Sequence, residues 1–312
     1  MSLRIAVIGV GHLGKHHARI LASLPGVTLT AVVDTNRARA DEIAAAHRTQ
    51  AAYDACDLFG RVDAVTIAVP TDRHLEIALP FLESQVPVLV EKPMARTLAE
   101  ADAMIAAAAK AGVPLAVGQT ERFNPAVTAA RPLLVDPRFI EVHRLGTFPE
   151  RSLDIDVVFD LMIHDLDVVL SLVASDVESI EAVGVPVLTP RVDIANARLR
   201  FANGCIANLT ASRISKDRVR KIRFFQPASY LSIDYAAQKV EAWRLEKGKG
   251  SGLMPSIEGG DLAVRNEEPL KLELADFVDA IVSRRAPAVT GEQGRRALAV
   301  AQAITDKMTA AS

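Results

Sequence analysis

The chain has 312 residues, of which 36 are basic and 38 are acidic, and half of them are hydrophobic. A chain of this length can bury a large core and is long enough for more than one domain. A net charge of -2 and an aromatic content of 4% argue against a nucleic-acid-binding surface. The two cysteines, Cys56 and Cys205, lie far apart and form no C-x-x-C pair, which indicates reduced thiols.

The chain contains no apolar run of about 18 residues, so no membrane-spanning helix is expected. Its first residues, MSLRIAVIGVG, enter a strand pattern directly and lack the basic and apolar regions of a signal peptide. We therefore expect a cytoplasmic protein that binds a small molecule and neither nucleic acid nor membrane.

Short apolar runs alternate with helical patterns over the first 120 residues. Nearly continuous runs of Val, Ile, Leu and Ala are typical of parallel strands that are covered on both faces. The predicted strands are Leu3–Ile8, Thr28–Val33, Asp63–Val69, Val86–Val90 and Leu115–Gly118, and the predicted helices span His12–Leu24, Arg37–His47, Arg73–Ser84 and Thr97–Gly112. This repetition predicts an α/β Rossmann domain, a doubly wound parallel sheet, in residues 1–120.

The pattern changes after residue 120, where a helix over Val157–Val173 precedes a series of alternating strands. These strands are predicted at Val177–Val187, Asp193–Phe201, Cys205–Ser212, Val219–Phe225, Tyr230–Asp234 and Lys239–Arg244. The Gly-rich segment Glu246–Gly260 predicts a loop, and two helices follow, near Leu272–Ser283 and from Gly291. Short hairpin links favour a mostly antiparallel sheet, so residues 121–312 are predicted to form an α+β domain.

A glycine-rich motif, Gly9-Val10-Gly11-His12-Leu13-Gly14, links the first strand to the first helix. Its first Gly permits a tight turn, its second lets a pyrophosphate approach the backbone, and its third lets helix and strand pack closely. The free N–H groups at the helix N-terminus favour phosphate. The motif predicts a dinucleotide site, whereas His16 and His17 are interpreted as ordinary helix residues.

Asp34 ends the second strand, 20 residues after Gly14, where a carboxylate can bind the ribose hydroxyls of NAD. The same carboxylate would repel the 2′-phosphate of NADP, so the sequence favours NAD. Two nearby cations, Arg37 and Arg39, keep NADP as the alternative. The cofactor contacts predicted from these motifs are Gly9, Gly11, His12, Leu13, Gly14, Asp34 and Arg37.

Lys92 follows an apolar strand at the sheet edge where ligands of open α/β sheets bind. The segment Val69-Pro70-Thr71 leaves its strand at the same edge. A partly desolvated Lys near other cations has its pKa lowered toward neutrality, which suits proton transfer to or from a hydroxyl. The alternative is an ordinary surface Lys at a strand end.

The helix VVFDLMIHDLDVVLSL carries Asp160, His164, Asp167 and Ser171 on one face. This polar stripe indicates either a helix that faces a cleft or a solvated surface helix. An Asp and a His four residues apart can also bind a metal, but the sequence offers no third ligand, so no metal site is predicted.

The ordered combination of these motifs resembles the glucose–fructose oxidoreductase, inositol dehydrogenase and MocA (Gfo/Idh/MocA) family of NAD(P)-dependent sugar oxidoreductases. The matching pieces are Gly9–Gly14, Ala68–Thr71 with His74, Glu91–Pro93, and Asp160-x-x-x-His164-x-x-Asp167. The resemblance covers essentially the whole chain. It implies that the C-terminal domain has a large open sheet, and that this domain binds substrate and forms a homodimer or homotetramer.

The resemblance also implies residue roles. Lys92 would be the central acid/base, His164 would contact or deprotonate the reacting hydroxyl, and Asp160 would orient the pair. The implied cofactor contacts are Pro70, Thr71, His74, Glu91 and Lys92, and the Lys92–Pro93 bond is a candidate cis bond. Met162 stands where many relatives carry Gly, which predicts a bulkier pocket wall.

Three segments, ERFNPAV, VVFDLMIHDLD and IRFFQPASYLSIDY, resemble a subgroup of nucleotide-sugar 3-dehydrogenases. That resemblance implies oxidation of the C3 hydroxyl of a UDP-linked sugar such as UDP-N-acetylglucosamine. The predicted substrate contacts are Arg122, Asn124, Lys92, Asp160 and His164, although Arg122 is equally explained as a structural brace. The basic segment Arg213–Arg223 is either a rim for a diphosphate or a solvated sheet edge.

Two other functions fit the same chain. An inositol or free-sugar dehydrogenase would keep every motif and change only the pocket. A non-catalytic NAD-binding regulator would need the glycine motif but not Lys92, Asp160 or His164, so the presence of all three argues against it.

Overall fold

The computed structural model describes residues 2–148, 155–246 and 256–310. The chain divides into two compact units, one made of Met1–Thr120 with Leu270–Leu298 and the other of Glu121–Pro269 with Ala299–Ser312. The sequence predicted a single boundary after residue 120. The structure differs from this prediction in the segment 270–298, which belongs to the first unit.

The first unit contains a wholly parallel sheet with helices between its strands. The strands are β1 (Leu3–Ile8), β2 (Val27–Val33), β3 (Gln50–Ala52), β4 (Ala64–Ile67), β5 (Val88–Glu91) and β6 (Leu115–Gly118), and the helices are α1 (Gly14–Leu21), α2 (Arg37–His47), α3 (His74–Glu83) and α4 (Leu98–Ala111). The strand order β3-β2-β1-β4-β5-β6 confirms the predicted Rossmann fold. The edge strand β3 was not predicted, since three residues carry no periodic signal.

The second unit contains an eight-stranded sheet. Its elements are α5 (Pro125–Ala130), β7 (Phe139–Leu145), α6 (Ile163–Leu172), β8 (Val177–Val185), β9 (Ile194–Phe201), β10 (Ile206–Ser212), β11 (Val219–Gln226), β12 (Ser229–Asp234), β13 (Lys239–Glu246) and β14 (Ser256–Asp261). The strand order is β14-β13-β12-β11-β7-β10-β9-β8, and all neighbours are antiparallel except β7 and β10. The predicted mostly antiparallel sheet is therefore confirmed.

The second unit differs from the prediction in four places, since α5 and β7 were not predicted and two predicted segments have a different structure. The segment predicted as a loop, Glu246–Gly260, ends in β14, while its residues 247–255 lie outside the described residues. The predicted helix Val157–Val173 begins with a π-helical turn, Val158–Met162, which leads into α6.

Two C-terminal helices complete the fold, α7 (Pro269–Val282) and α8 (Gly291–Ala310). The apolar face of α7 explains why the segment 270–298 belongs to the first unit. Leu274 and Phe277 are fully buried in the core that also contains Ile5 and Val7 of β1. Burial of side chains of this size stabilises a fold by about 1.5–3 kcal/mol each.

Candidate functional sites

The three glycines of the loop before α1 have different surroundings. Gly9 has a φ of +84°, and a Cβ there would lie 2.8 Å from the Ala68 carbonyl group. A Cβ on Gly14 would lie 1.7 Å from the Gly9 carbonyl oxygen. On Gly11, by contrast, the nearest atom would be Arg39 Nη1, at 4.0 Å. The backbone thus requires Gly9 and Gly14, whereas Gly11 leaves open space above the loop, which fits a pyrophosphate.

Asp34 is anchored beside this loop. Its Oδ2 accepts the Val10 N–H at 3.1 Å, and its Oδ1 accepts the Asn36 N–H at 2.9 Å. Arg39 Nη1 lies 3.5 Å from Asp34 Oδ2, whereas the guanidinium of Arg37 lies over the Tyr53 ring. The cation next to the carboxylate is therefore Arg39 rather than Arg37, which the sequence had favoured as a cofactor contact.

Pro70 and Thr71 lie at the carboxyl end of β4, where Thr71 begins a short 3-10 turn. Lys92 directly follows β5, and the Lys92–Pro93 peptide bond is cis, as the resemblance allowed. The carboxyl ends of parallel strands meet at one edge of a sheet, so these segments share that edge with the glycine loop.

Glu91, the last residue of β5, has a buried carboxylate. Its Oε1 lies 3.0 Å from Nε2 of His17, a fully buried residue of α1, and its Oε2 accepts the Lys92 N–H at 3.3 Å. A Cβ on Gly118 would lie 2.7 Å from Glu91 Oε1, so only glycine there leaves room for the carboxylate. His17 was interpreted as an ordinary helix residue, and its buried position opposite a carboxylate was not evident from the sequence.

His74 was predicted to contact the cofactor, but it is 1% exposed and both of its ring nitrogens face backbone carbonyls. Nε2 lies 3.0 Å from the Val69 oxygen, and Nδ1 lies 3.1 and 3.2 Å from the Pro93 and Met94 oxygens. Burial lowers the pKa of His74, although these carbonyls and Glu91 act in the opposite direction. Because both ring nitrogens of His74 contact these carbonyls, neither is available for a hydrogen bond to a cofactor.

Asp160 and His164 of the second unit lie one helical turn apart and are both partly exposed. Asp160 belongs to the π-helical turn and His164 to the first turn of α6. Single π-helical turns occur frequently at functional sites. The polar stripe that the sequence predicted is split, because Asp167 is buried while these two residues remain accessible.

Asp167 is held by Arg122, which had been predicted to contact substrate. Arg122 donates to both carboxylate oxygens, at 2.8 and 2.6 Å. Burial raises the pKa of the Asp167 carboxyl, and the Arg122 guanidinium opposes this effect. This pairing supports the alternative interpretation of Arg122 as a structural brace.

Asn124, the other predicted substrate contact, is also buried and structurally engaged. Its side-chain oxygen accepts the Ala126 N–H and caps α5, and its amide donates to the Tyr235 carbonyl at 3.0 Å. The structure therefore gives Asn124 a role in closing α5 onto the sheet.

A second buried ion pair joins α6 to β7. Arg144 donates to both oxygens of Asp165, at 2.6 and 3.0 Å, and to Glu121 at 3.0 Å. Burial raises the pKa of Asp165, and Arg144 acts against it. The sequence analysis missed this pair, since the two residues are 21 positions apart and β7 was not predicted.

Three cations of the basic segment Arg213–Arg223 are paired with carboxylates. Arg213 is 1% exposed and donates to Asp193 at 2.8 Å. Arg223 pairs with Glu141 on β7 at 2.7 Å, and Lys221 pairs with Asp234 on β12 at 3.4 Å. Lys216, Arg218 and Arg220 are exposed, so a diphosphate rim and a solvated surface both stay open for them, although β11 lies between β12 and β7 and is not an edge strand.

Two features are absent from residues 2–148, 155–246 and 256–310. No helix among them is long and apolar enough to cross a membrane. Nor do these residues contain a group of three or more His, Cys, Asp or Glu side chains that could hold a metal ion.

Comparison with known proteins gives two family matches. The model of the GFO/IDH/MocA oxidoreductase family, with an NAD-binding Rossmann fold, matches residues 3–119, and that of the GFO/IDH/MocA C-terminal domain matches residues 141–225. Both matches fall within the two units described above.

Among characterised relatives, the UDP-N-acetylglucosamine 3-dehydrogenase of Acidithiobacillus ferrooxidans is 39% identical over 96% of this chain and 95% of that protein. A solved structure of that enzyme superimposes with a TM-score of 0.93 and covers 99% of this chain and 98% of the other. The scyllo-inositol 2-dehydrogenase (NAD(+)) of Bacillus subtilis is 27% identical over 92% of this chain and 89% of that protein.

Proposed function

Because the chain belongs to the GFO/IDH/MocA family of oxidoreductases, we propose that it is an NAD-dependent dehydrogenase that oxidises the C3 hydroxyl of a UDP-linked sugar such as UDP-N-acetylglucosamine. The family predicted from the sequence motifs is confirmed. The observation that carries the substrate proposal is the nearly full-length similarity to a UDP-N-acetylglucosamine 3-dehydrogenase, which exceeds the similarity to inositol dehydrogenases.

The cofactor proposal rests on the first unit. Gly11 leaves room for the pyrophosphate, and the N-terminus of α1 supplies N–H groups to it. Asp34 would accept hydrogen bonds from the adenosine ribose and disfavour a 2′-phosphate. Arg39, 3.5 Å from Asp34, is the residue that would favour NADP, so the proposed preference for NAD depends on the balance between these two side chains.

The proposed chemistry uses Lys92 and the Asp160–His164 pair. NAD, when bound, supplies the hydride acceptor. His164 would accept the proton of the substrate hydroxyl through a ring nitrogen, with Asp160 orienting the imidazole. The Lys92 ammonium would stabilise negative charge on the substrate oxygen as the proton leaves.

The direct test is NADH formation by the purified protein with UDP-N-acetylglucosamine, N-acetylglucosamine and myo-inositol, each with NAD+ and with NADP+. We expect turnover with NAD+ and the UDP-sugar, and a loss of about 100-fold or more in Lys92→Ala and His164→Ala, the size expected for removing an acid/base group. The matched control is Lys110→Ala, which removes an exposed Lys of α4.

Each outcome separates the candidates. Activity on myo-inositol or the free sugar alone would contradict the nucleotide-sugar proposal and favour the free-sugar dehydrogenase. Tight NAD binding without turnover on any substrate would favour the non-catalytic regulator. Activity that survives in Lys92→Ala would contradict the proposed role of that residue.

The outer face of the eight-stranded sheet supports a proposal of self-association. Four large apolar side chains on β11, β13 and β14 share this face and are between 37% and 73% exposed: Phe225, Trp243, Leu245 and Ile257. Exposed apolar patches of this kind mark interaction surfaces. We therefore propose that this face is buried in a homodimer or homotetramer; the cytoplasmic location and the lack of nucleic-acid binding stay predictions.

A further inference from the structure

Three buried side chains of the first unit surround the backbone that carries Lys92. We infer that His17, Glu91 and His74 form a positioning network that fixes the Lys92–Met94 turn relative to the cofactor-binding segments. The inference rests on the proposed acid/base role of Lys92, and it assigns two residues, His17 and His74, that act on Lys92 through the backbone.

The first link joins α1 to the end of β5. His17 is fully buried on α1, the helix that begins at the glycine loop, and its Nε2 lies 3.0 Å from Glu91 Oε1. At this distance an imidazole N–H can donate a charge-assisted hydrogen bond to a carboxylate. Because Gly118 lacks a side chain, the Glu91 carboxylate has space to lie there. Glu91 is thus held on one side by α1, the helix that follows the dinucleotide motif.

The second link holds the turn itself. Glu91 Oε2 accepts the Lys92 N–H, and His74 Nδ1 lies within 3.2 Å of both the Pro93 and the Met94 carbonyl oxygens. Three successive backbone groups, those of Lys92, Pro93 and Met94, therefore contact the side chains of Glu91 and His74. Proline has no N–H of its own to donate, so the carbonyl groups and the Lys92 N–H are the groups by which this turn can be held.

The third link connects the turn to β4. His74 Nε2 lies 3.0 Å from the Val69 oxygen, next to the predicted cofactor segment Pro70–Thr71. Carbonyl oxygens only accept, so a neutral imidazole donates on one side and a protonated one on both. Each neutral tautomer of His74 therefore donates one hydrogen bond, either to the Val69 carbonyl or to the Pro93 and Met94 carbonyls. The negative charge of Glu91 favours the protonated form of the His74 ring.

A network of this kind matters because proton transfer depends on position. Displacement of a reacting group by about 1 Å can cost about 100-fold in rate. Residues that support a catalytic group must hold it within about 0.5 Å. We therefore expect loss of either His to reduce kcat more than it weakens substrate binding.

The test compares His17→Leu and His74→Leu, which remove the donors, with His17→Gln and His74→Gln, which keep one. We expect the Leu variants to lose about 10-fold or more in kcat with KM changed by less than about 3-fold, and the Gln variants to recover part of kcat. His47→Leu, a partly exposed His of α2, is the matched control and should keep the wild-type kcat.

A second readout does not depend on the sugar. The pH dependence of Lys92 labelling by an amine-reactive acetylating reagent, measured by mass spectrometry, should shift in both Leu variants, whereas Lys110 labelling stays unchanged. The isosteric Glu91→Gln variant should shift it too, and it decides the question if the Leu variants do not fold.

The outcomes separate the inference from the proposed function. The network is overturned if the folded Leu variants keep both the wild-type kcat and the wild-type Lys92 labelling profile. It is also overturned if Glu91→Gln keeps the wild-type labelling profile. A shifted Lys92 profile in a protein that oxidises none of the tested sugars would support the network while contradicting the proposed substrate.

Discussion

The three glycines of the dinucleotide motif show how residues of one type serve different purposes at neighbouring positions. Gly9 and Gly14 are required by contacts inside the protein, with Gly9 in the left-handed region and Gly14 pressed against the Gly9 carbonyl. Gly11 has no such constraint, and its missing side chain matters only if a ligand approaches. A substitution at Gly14 should therefore reduce stability, whereas a substitution at Gly11 should reduce affinity for the cofactor.

We expect Gly14→Ala to destabilise the protein by about 1–3 kcal/mol, as overpacked sites do. Gly11→Ala should change stability by less than about 0.5 kcal/mol, but it should raise the Kd for NAD by about tenfold, equivalent to ~1.4 kcal/mol. Urea denaturation and NAD titration measure the two effects. Equal loss of stability in both variants, or wild-type NAD affinity in Gly11→Ala, would contradict the assignment.

Asp193 is a buried carboxylate whose partners make stability depend on pH. Burial opposes its ionisation, but the N–H groups of Leu188 and Thr189 and the Arg213 guanidinium outweigh this effect and hold its pKa well below the usual value. A carboxyl with a depressed pKa contributes stability above its unfolded pKa of about 4, and this contribution is lost as pH falls toward the folded pKa.

We therefore expect Asp193→Asn to lower the free energy of unfolding by about 3 kcal/mol at pH 7, since it breaks a buried ion pair. The difference from wild type should shrink between pH 5 and pH 2. Urea denaturation across this range checks it, with the exposed Asp217→Asn as control. A difference that stays constant down to pH 2 would rule out ionised Asp193 as its source.

At the scale of elements, periodicity predicted those that bury continuous or alternating apolar residues. The strands β1, β5 and β6 fall within two residues of their predicted bounds. The strand β7 was not predicted, although its buried Ile140 and Val142 alternate with polar residues. The π-helical turn was not predictable, because it shares its residue preferences with the α-helix that follows.

The pair formed by Arg144 on β7 and Asp165 on α6 tests how these two elements are held together. Asp165→Leu alone should destabilise the protein by about 3–5 kcal/mol, because it leaves a buried guanidinium with less compensation. The double variant Arg144→Met/Asp165→Leu should recover most of that loss. A double-mutant cycle by urea denaturation measures the coupling, and additive losses would contradict it.

At the scale of the whole molecule, the sequence predicted both fold types but not which segments form each unit. α7 follows the second sheet in the chain, yet its Leu274 and Phe277 complete the core of the first unit. Contacts between residues so distant in sequence leave no local pattern. For the same reason, the motifs named Lys92 and His164 as candidates, whereas the buried contacts of His17 with Glu91 and of Arg122 with Asp167 emerged only from the fold.

Self-association through the outer face of the second sheet is a property of the whole molecule. Trp243→Glu places a charge among exposed apolar side chains and should convert the oligomer to a monomer of 33.5 kDa. Val282→Glu, at an exposed position of α7, should leave the oligomer intact. Light scattering after size-exclusion chromatography gives the masses. An unchanged mass for Trp243→Glu, or a monomeric wild type, would contradict the proposed interface.

In the proposed reaction a hydride leaves C3 of a UDP-linked sugar. The most direct measurement supplies UDP-N-acetylglucosamine deuterated at C3 together with NAD+ and determines the mass of the reduced cofactor. We expect one deuterium in the NADH and, if the hydride step limits the rate, a slower turnover than with unlabelled sugar. Unlabelled NADH formed from the deuterated sugar would show that the hydride comes from another carbon and would rule out oxidation at C3.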